Sequence, residues 1–292
     1  MDDIILFFAK ERKEMKKLLE ALNGKSTLIV DIDELLFVDL LNNPLERLSC
    51  IEKIVGLPGF SDARIGVEEH GNIISLKNIY EIIHRSYREA ETVEIDLRFF
   101  GAHVDPEMNN FLGMAMHRKV QIYLCNNTGL PQADMERFLQ KNGCSGYTKI
   151  YSPKTQDEYA NICREIVQSN NIEPTEVLYV TNTEEVCSVP GVFKYTWQPV
   201  LRRHGYNKNS AFFAALNSAR REDAWISALE NLISLSQSAG KLSDRWFSFG
   251  YKYIGLLAFE YVKFIGETVE KLKIRKVFFA SENCFLIKAA FE

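Results

Sequence analysis

The sequence lacks several patterns that would assign it to a common functional class. Its six cysteines form no CxxC pair, which argues against a zinc knuckle and fits a reducing, cytosolic compartment. Its five histidines show no metal-ligand spacing such as HExxH. The glycine-rich loops GxGxxG and GxxxxGKS and the GxSxG elbow are also missing. Zinc hydrolases, dinucleotide-binding and P-loop enzymes, and serine hydrolases of the GxSxG type therefore have no support.

Charge and hydrophobicity argue against two further classes of protein. The net charge is −4 over 292 residues and the basic residues are scattered, so nothing favours nucleic acid as a partner. The longest apolar candidate for a membrane span, residues 253–265, is interrupted by Glu260 and Lys263. The amino-terminal residues are acidic first and basic later, the reverse of a secretory signal. We expect a cytoplasmic protein without a membrane span. The apolar and then basic start would also suit peripheral attachment at the inner membrane face.

What the sequence contains is typical of a soluble globular protein, with 46% hydrophobic and 25% charged residues. Short apolar runs predict buried strands at residues 27–31, 120–125, 149–152, 176–181 and 191–197. Helical periodicity predicts helices at residues 106–117, 132–142 and 157–170. This alternation predicts an α/β fold with an open, mostly parallel, Rossmann-like sheet.

The same patterns predict four segments. They are an N-terminal helix (1–24), an α/β core (25–36 and 112–200), a mostly helical insertion (37–111) and a helical C-terminal extension (201–292). The extension ends in half of a strand–helix unit, so we expect either that this unit completes the first sheet or that the chain is a truncated piece of something longer. Its aromatic residues predict a buried interface, within the chain or between chains.

The stretch TLIVDIDELLF at residues 27–37 is the strongest candidate for a functional site. Asp31 and Asp33 follow an apolar strand directly. Parallel-sheet proteins place their chemistry at the carboxyl ends of such strands, and two adjacent carboxylates there favour Mg²⁺ or a shared proton. The structural alternative is that a strand end simply tolerates polar residues.

The order of these elements from residue 27 to about residue 200 resembles the haloacid dehalogenase (HAD) superfamily of phosphohydrolases. The resemblance implies a HAD-type sheet with a helical cap inserted after the first strand. It implies that Asp31 is the nucleophile and Asp33 the general acid/base. The implied substrate-binding residues are Asn126, Asn127, Thr128 and Lys154. The implied Mg²⁺ ligands are Asp31, Asp33, Asn182 and Glu185.

Several stretches are similar to a bacterial branch of that superfamily that is associated with cell-surface polysaccharide synthesis. They are FSDARIGVEEHG (60–71), LCNNTGLP (124–131), IEPTEVLYVTN (172–182) and the segment 251–286. The implied partner is a glycosyltransferase or another polysaccharide-synthesis protein. Self-association through the C-terminal helices is the alternative.

The sequence departs from the superfamily pattern at three of its four motifs. Asn126 replaces a Ser or Thr, Asp157 or Glu158 replaces a Lys, and Asn182 replaces an Asp. A second alignment, through Leu35 and Leu36, would place Val30 at the nucleophile. The sequence therefore predicts a degenerate HAD-like domain that acts as a binding or assembly module in polysaccharide synthesis. The alternative is a Mg²⁺-dependent phosphatase acting on a small phosphorylated sugar, and Mg²⁺ is expected only in that case.

Overall fold

A computed structural model describes residues 14–41, 44–183, 189–197, 255–279, 287, 288 and 291. The chain divides into two compact units, residues 1–231 and 232–292. Most of the predicted extension, including residues 201–254, lies outside the described residues, as do the first 13 residues, residues 198–200 and Glu185. Among the described helices, none combines the length and apolar content that a membrane crossing requires.

The first unit contains eight described α-helices and seven strands in an alternating order. They are α1 (14–21), β1 (Thr27–Asp31), β2 (Phe37–Asp39), α2 (Pro44–Val55), α3 (Phe60–Gly71), α4 (Leu76–Ile82), α5 (Ala90–Gly101), β3 (Ala102–Val104), α6 (Pro106–His117), β4 (Gln121–Cys125), α7 (Gln132–Lys141), β5 (Lys149–Tyr151), α8 (Gln156–Ser169), β6 (Val177–Thr181) and β7 (Phe193–Thr196). The second unit contains α9 (Gly255–Leu272).

A five-stranded sheet forms the centre of the first unit, with strand order β5-β4-β1-β6-β7. All four neighbouring pairs are parallel. Every residue of β1 and β6 is buried, as expected for the middle strands of a parallel sheet covered by helices. The predicted α/β, Rossmann-like fold class is confirmed, and each predicted strand lies within two residues of its observed bounds.

An antiparallel pair of three-residue strands, β2 and β3, was not predicted from the sequence. Phe37 pairs with Val104 and Asp39 pairs with Ala102. The pair encloses helices α2 to α5, and we call residues 37–104 the insertion. Its helices are shorter than the sequence pattern indicates. Residues 75–91 carry apolar side chains at helical spacing throughout, yet they form α4, a 3₁₀ turn at Arg85–Tyr87 and the start of α5.

The loop between α3 and α4 ties the insertion to the core of the sheet. The Ile74 amide donates to the Lys154 carbonyl at 2.9 Å, and the Leu76 amide donates to the Gly129 carbonyl at 2.9 Å. The Gln156 amide donates to the Asn72 carbonyl at 3.1 Å. This loop therefore holds the insertion to the core, in addition to the chain connections at its two ends.

Gly129 allows the loop between α3 and α4 to approach the turn after β4 closely, and we expect replacement of Gly129 to disrupt this contact. Gly129 has φ +78°, and a Cβ there would overlap the Ile74 carbonyl oxygen. We expect Gly129→Ala to lower the free energy of unfolding by more than about 1–2 kcal/mol, the cost of a left-handed non-glycine residue, because the overlap adds to it. Chemical denaturation measures the change.

Gly113→Ala is the matched control for this prediction. Gly113 lies inside α6, and a Cβ there would meet no atom within 4 Å. We expect it to raise the free energy of unfolding by about 0.5–1 kcal/mol. Equal effects of the two substitutions would contradict the proposed close approach at Gly129.

Candidate functional site

Polar residues gather where the three central strands of the sheet end. In the sheet register Asp31 lies beside Cys125, and Val30 lies beside Val180. The chain runs outward from β1 through β4 to β5 and then returns to β6 on the other side of β1. Ligands of open α/β sheets bind at such a switch point, outside the carboxyl ends of the strands. The topology therefore places a candidate site beside the end of β1.

Asp31 is fully buried, and its carboxylate is satisfied by two tyrosines. The Tyr159 hydroxyl donates to Oδ2 at 2.7 Å, and the Tyr179 hydroxyl donates to Oδ1 at 2.8 Å. Burial raises the pKa of Asp31, and hydrogen bonds from Thr181 and the two tyrosines offset only part of this. Asp31 thus lies within the sheet–helix packing with both oxygens occupied.

Asp33 has a different environment because the strand ends between the two aspartates. The Ile32 carbonyl accepts hydrogen bonds from the Leu36 amide at 3.0 Å and the Phe37 amide at 2.8 Å, which makes a tight turn. The Asp33 amide donates to Asn127 Oδ1 at 2.9 Å. This turn places Asp33 on the wall of a cavity.

The cavity has a volume of about 410 Å³ and lies between the strand ends and the insertion. The volume is within the range of small-molecule sites. Core residues on its wall include Asp33, Glu34, Asn127, Tyr159 and Asn182. The insertion contributes charged residues: Asp39, Arg47, Arg64, Glu68 and Arg98. Asp31 does not line the cavity, because Tyr159 stands between the two.

The pKa of Asp33 is raised to about 6. Burial is the largest cause; Arg98 opposes it, and Glu34 adds to it. Asp33 therefore titrates between ordinary carboxyl values and neutrality. Among the described residues, none donates a hydrogen bond to its carboxylate.

The three predicted substrate-binding residues after β4 form a compact turn. Asn126 is buried; its Nδ2 donates to the Leu130 carbonyl at 3.0 Å, and its Oδ1 accepts from the Thr128 hydroxyl at 2.6 Å. Asn126 therefore supports the turn from inside. Asn127 and Thr128 line the cavity, and Asn127 Nδ2 also donates to the Tyr159 hydroxyl at 3.2 Å.

Of the other predicted site residues, the structure places Asn182 at the cavity and Lys154 away from it. Lys154 is exposed and does not line the cavity. Asn182 lines it, and its Nδ2 donates to Glu34 Oε2 at 3.1 Å. The described part of the chain contains no group of three His, Cys, Asp or Glu residues placed to hold a metal ion. Asp31 is already bonded to two hydroxyls, so the described residues do not fit the predicted Mg²⁺ site.

The sequence analysis did not identify Tyr159, Tyr179 or the three arginines as site residues. A weak signal existed for the arginines. Arg64 follows Phe60 by one helical turn, and Arg98 follows Glu94 by one turn, so each lies on the buried face of its helix. The tyrosines gave no such signal, because aromatic residues are ordinary on the apolar faces of α8 and β6.

Solved structures with similar folds include several HAD-like hydrolases. A HAD family enzyme from Bacteroides thetaiotaomicron is 16% identical over 61% of this chain and 95% of that one, with a TM-score of 0.43. A second structure from that enzyme, a complex with magnesium and inorganic phosphate, has 15% identity and a TM-score of 0.40, over 60% of this chain and 95% of that one. A β-phosphoglucomutase-like protein from Thermotoga maritima is 14% identical over 60% of this chain and 94% of that one, with a TM-score of 0.41.

Neither a family model nor a curated protein matches the sequence. The fold class is established by the order and direction of the strands. The roles of individual residues are inferred from the contacts within this chain.

The raised pKa of Asp33 predicts how stability changes with pH. The folded state holds its proton more tightly than the unfolded state, whose pKa is near 3.8. The contribution of Asp33 to the free energy of unfolding is most favourable below pH 3.8 and is lost as pH rises through about 6. We expect Asp33→Asn to remove this loss, so that the variant gains stability over the wild type across that window. Thermal unfolding at a series of pH values measures the difference.

Asp96→Asn is the matched control, because Asp96 is an exposed aspartate on α5. We expect the control to change the pH profile of the melting temperature little. Parallel pH profiles for wild type and Asp33→Asn would show that Asp33 is not held in the environment described above.

Proposed function

We propose that the chain is a non-hydrolytic, HAD-like domain that binds a small ligand in its cavity. The observation that carries this proposal is the state of Asp31. Its two oxygens accept hydrogen bonds from Tyr159 and Tyr179, and Asp31 does not line the cavity.

A carboxylate nucleophile must be ionised and must reach the substrate. Burial raises the pKa of Asp31 and favours its neutral form, which cannot attack a phosphorus atom. Tyr159 also occupies the space between Asp31 and the cavity. The geometry therefore argues against Asp31 as a nucleophile in this arrangement.

The core wall of the cavity also lacks positive charge. Within the described residues, the wall residues from the core are acidic or neutral, and Lys154 is outside. Phosphoryl transfer depends on cations placed around the transferred group. The positive charges on the wall come from the insertion, which favours binding in the cavity over reaction at the strand end.

The insertion is suited to retain a bound ligand. It covers the cavity and is tied to the core by the loop between α3 and α4. A binding or assembly role in cell-surface polysaccharide synthesis, with a glycosyltransferase as partner, stays a prediction from the sequence resemblance. Self-association through the C-terminal helices also stays a prediction.

A Mg²⁺-dependent HAD phosphatase is the second candidate, and Asp33 is the observation that favours it. A carboxyl group with a pKa of about 6 on a cavity wall is suited to general acid/base catalysis near neutral pH. In that case Tyr159 would have to move away from Asp31, and Glu185, outside the described residues, would have to complete a metal site.

Turnover measurements separate the two candidates. We expect the wild type, with Mg²⁺, to release phosphate from a panel of sugar phosphates no faster than the Asp31→Asn variant does. The reason is that Asp31 is hydrogen-bonded and shielded. A phosphate-release assay under identical conditions makes the comparison.

Tyr159→Phe provides a further control, because it removes the hydroxyl that donates to Asp31 while keeping the ring. Under the proposed function this variant also shows no phosphate release above Asp31→Asn. Mg²⁺-dependent turnover by the wild type that Asp31→Asn abolishes would replace the binding proposal with the phosphatase.

A further inference from the structure

Three buried arginines line the insertion side of the cavity, and they differ in how many of their nitrogens have partners. Arg64 is fully engaged: Nε and Nη2 each donate to Glu94 at 3.2 Å, and Nη1 donates to Glu68 at 2.8 Å. Tyr80 also donates to Glu94 at 2.7 Å. This group joins α3, α4 and α5 and has a structural role that accounts for its charge.

Arg47 and Arg98 are only partly engaged. Each is 8% exposed. Within the described part of the chain, Arg47 donates only from Nη1, to Asp39 Oδ2 at 3.0 Å and to the Leu41 carbonyl at 2.9 Å. Arg98 donates from Nη1 to the Thr128 carbonyl. The Nε of each is buried without a hydrogen-bond acceptor among the described residues, although polar groups at such positions are normally paired.

The two guanidinium groups also share one nearby carboxylate. Arg98 Nε lies 3.9 Å from Asp39 Oδ2, the same oxygen that Arg47 contacts. Asp39 Oδ1 is already used by the Leu41 amide at 2.8 Å. Burial and the charge of Arg98 lower the pKa of Arg47, which indicates that the two positive charges act on each other. Glu94 and Asp33 also attract Arg47, so carboxylates oppose the positive charge at this wall, and what remains open is the hydrogen-bonding capacity of the two guanidinium groups.

We propose that Arg47 and Arg98 form a binding site for the oxyanion group of a small molecule. The proposal deepens the proposed function, since it names the chemistry that the binding domain recognises. Guanidinium groups bind carboxylates and phosphates through paired N–H donors, and both side chains line the cavity with N–H groups left over from their bonds to the described residues. The oxyanion belongs to either a phosphate ester or a carboxylic acid.

The opposite wall indicates what the rest of the ligand carries. Asp33 and Glu34 line the cavity from the core. Carboxylates accept hydrogen bonds and repel a second negative charge. The ligand therefore has its oxyanion at the arginine end and hydroxyl or amino donors at the other end.

Isothermal titration calorimetry tests the site with two probes, inorganic phosphate and malonate, without Mg²⁺ and at constant ionic strength. We expect one-site, saturable binding of at least one probe by the wild type. Arg47→Gln and Arg98→Gln should each weaken it about tenfold or more, the usual effect of losing a charged hydrogen bond. Arg137→Gln, which removes an exposed arginine with a side chain 81% accessible, should bind as the wild type does.

Asp39→Asn gives a change of the opposite sign. It removes the carboxylate that competes for the two arginines, so the probe should bind more tightly than to the wild type. Circular dichroism shows whether each arginine variant folds. If one does not, the Asp39→Asn result still decides: tighter binding supports the site, and unchanged or weaker binding overturns it. Absence of saturable binding, or equal binding by wild type and both arginine variants, also overturns it.

The two probes separate the two sources of the oxyanion. Binding of phosphate alone assigns a phosphate ester, binding of malonate alone assigns a carboxylic acid, and binding of both supports a general oxyanion site. The outcome is independent of turnover. Phosphatase activity at Asp31 would overturn the proposed function and leave the arginine site standing, whereas failure to bind either probe would overturn only the site.

Discussion

A carboxyl group buried at the end of a parallel strand must find hydrogen-bond donors, because an unpaired polar group inside a protein is costly. Asp31 meets this requirement with hydroxyls from α8 and β6, both far away in the sequence. The Tyr159 hydroxyl in turn accepts from Asn127, which also accepts from the Asp33 amide. One chain of hydrogen bonds thus joins β1, the turn after it, the turn after β4, and α8. The shape of the cavity wall depends on this chain.

The sequence predicted the strands well because a fully buried parallel strand is an uninterrupted apolar run, as Thr27–Asp31 shows. The sequence resemblance also placed Asp33, Asn127 and Asn182 in one site, and all three line one cavity. It could not predict that Asp31 and Asp33 would separate. The alternation of side chains ends where the strand ends, and the turn at Ile32 is determined by tertiary contacts. The pair β2 and β3 was missed because three residues are too few for a periodic signal.

The arginines of the insertion were missed for a different reason. A helical pattern assigns charged residues to the solvent side, whereas burial of Arg64 and Arg98 depends on carboxylates and carbonyls from other elements. Glu94 shows the same dependence. Burial alone would raise its pKa, but Arg64 and Arg98 hold the pKa below its usual range. Such pairs are identified only when the three-dimensional arrangement of the helices is known.

The core and the insertion contribute different charges to the wall of the cavity. Among the described residues, the core contributes acids and amides to the wall, and the insertion contributes the positive charge. A buried arginine whose nitrogens are all paired, such as Arg64, can be explained by packing alone. Arg47 and Arg98 are not explained in this way, since each is buried with an Nε that has no hydrogen-bond acceptor among the described residues. Because Tyr159 shields Asp31 on the core side, an anion drawn to these arginines would be held at the insertion side, away from the strand-end aspartate.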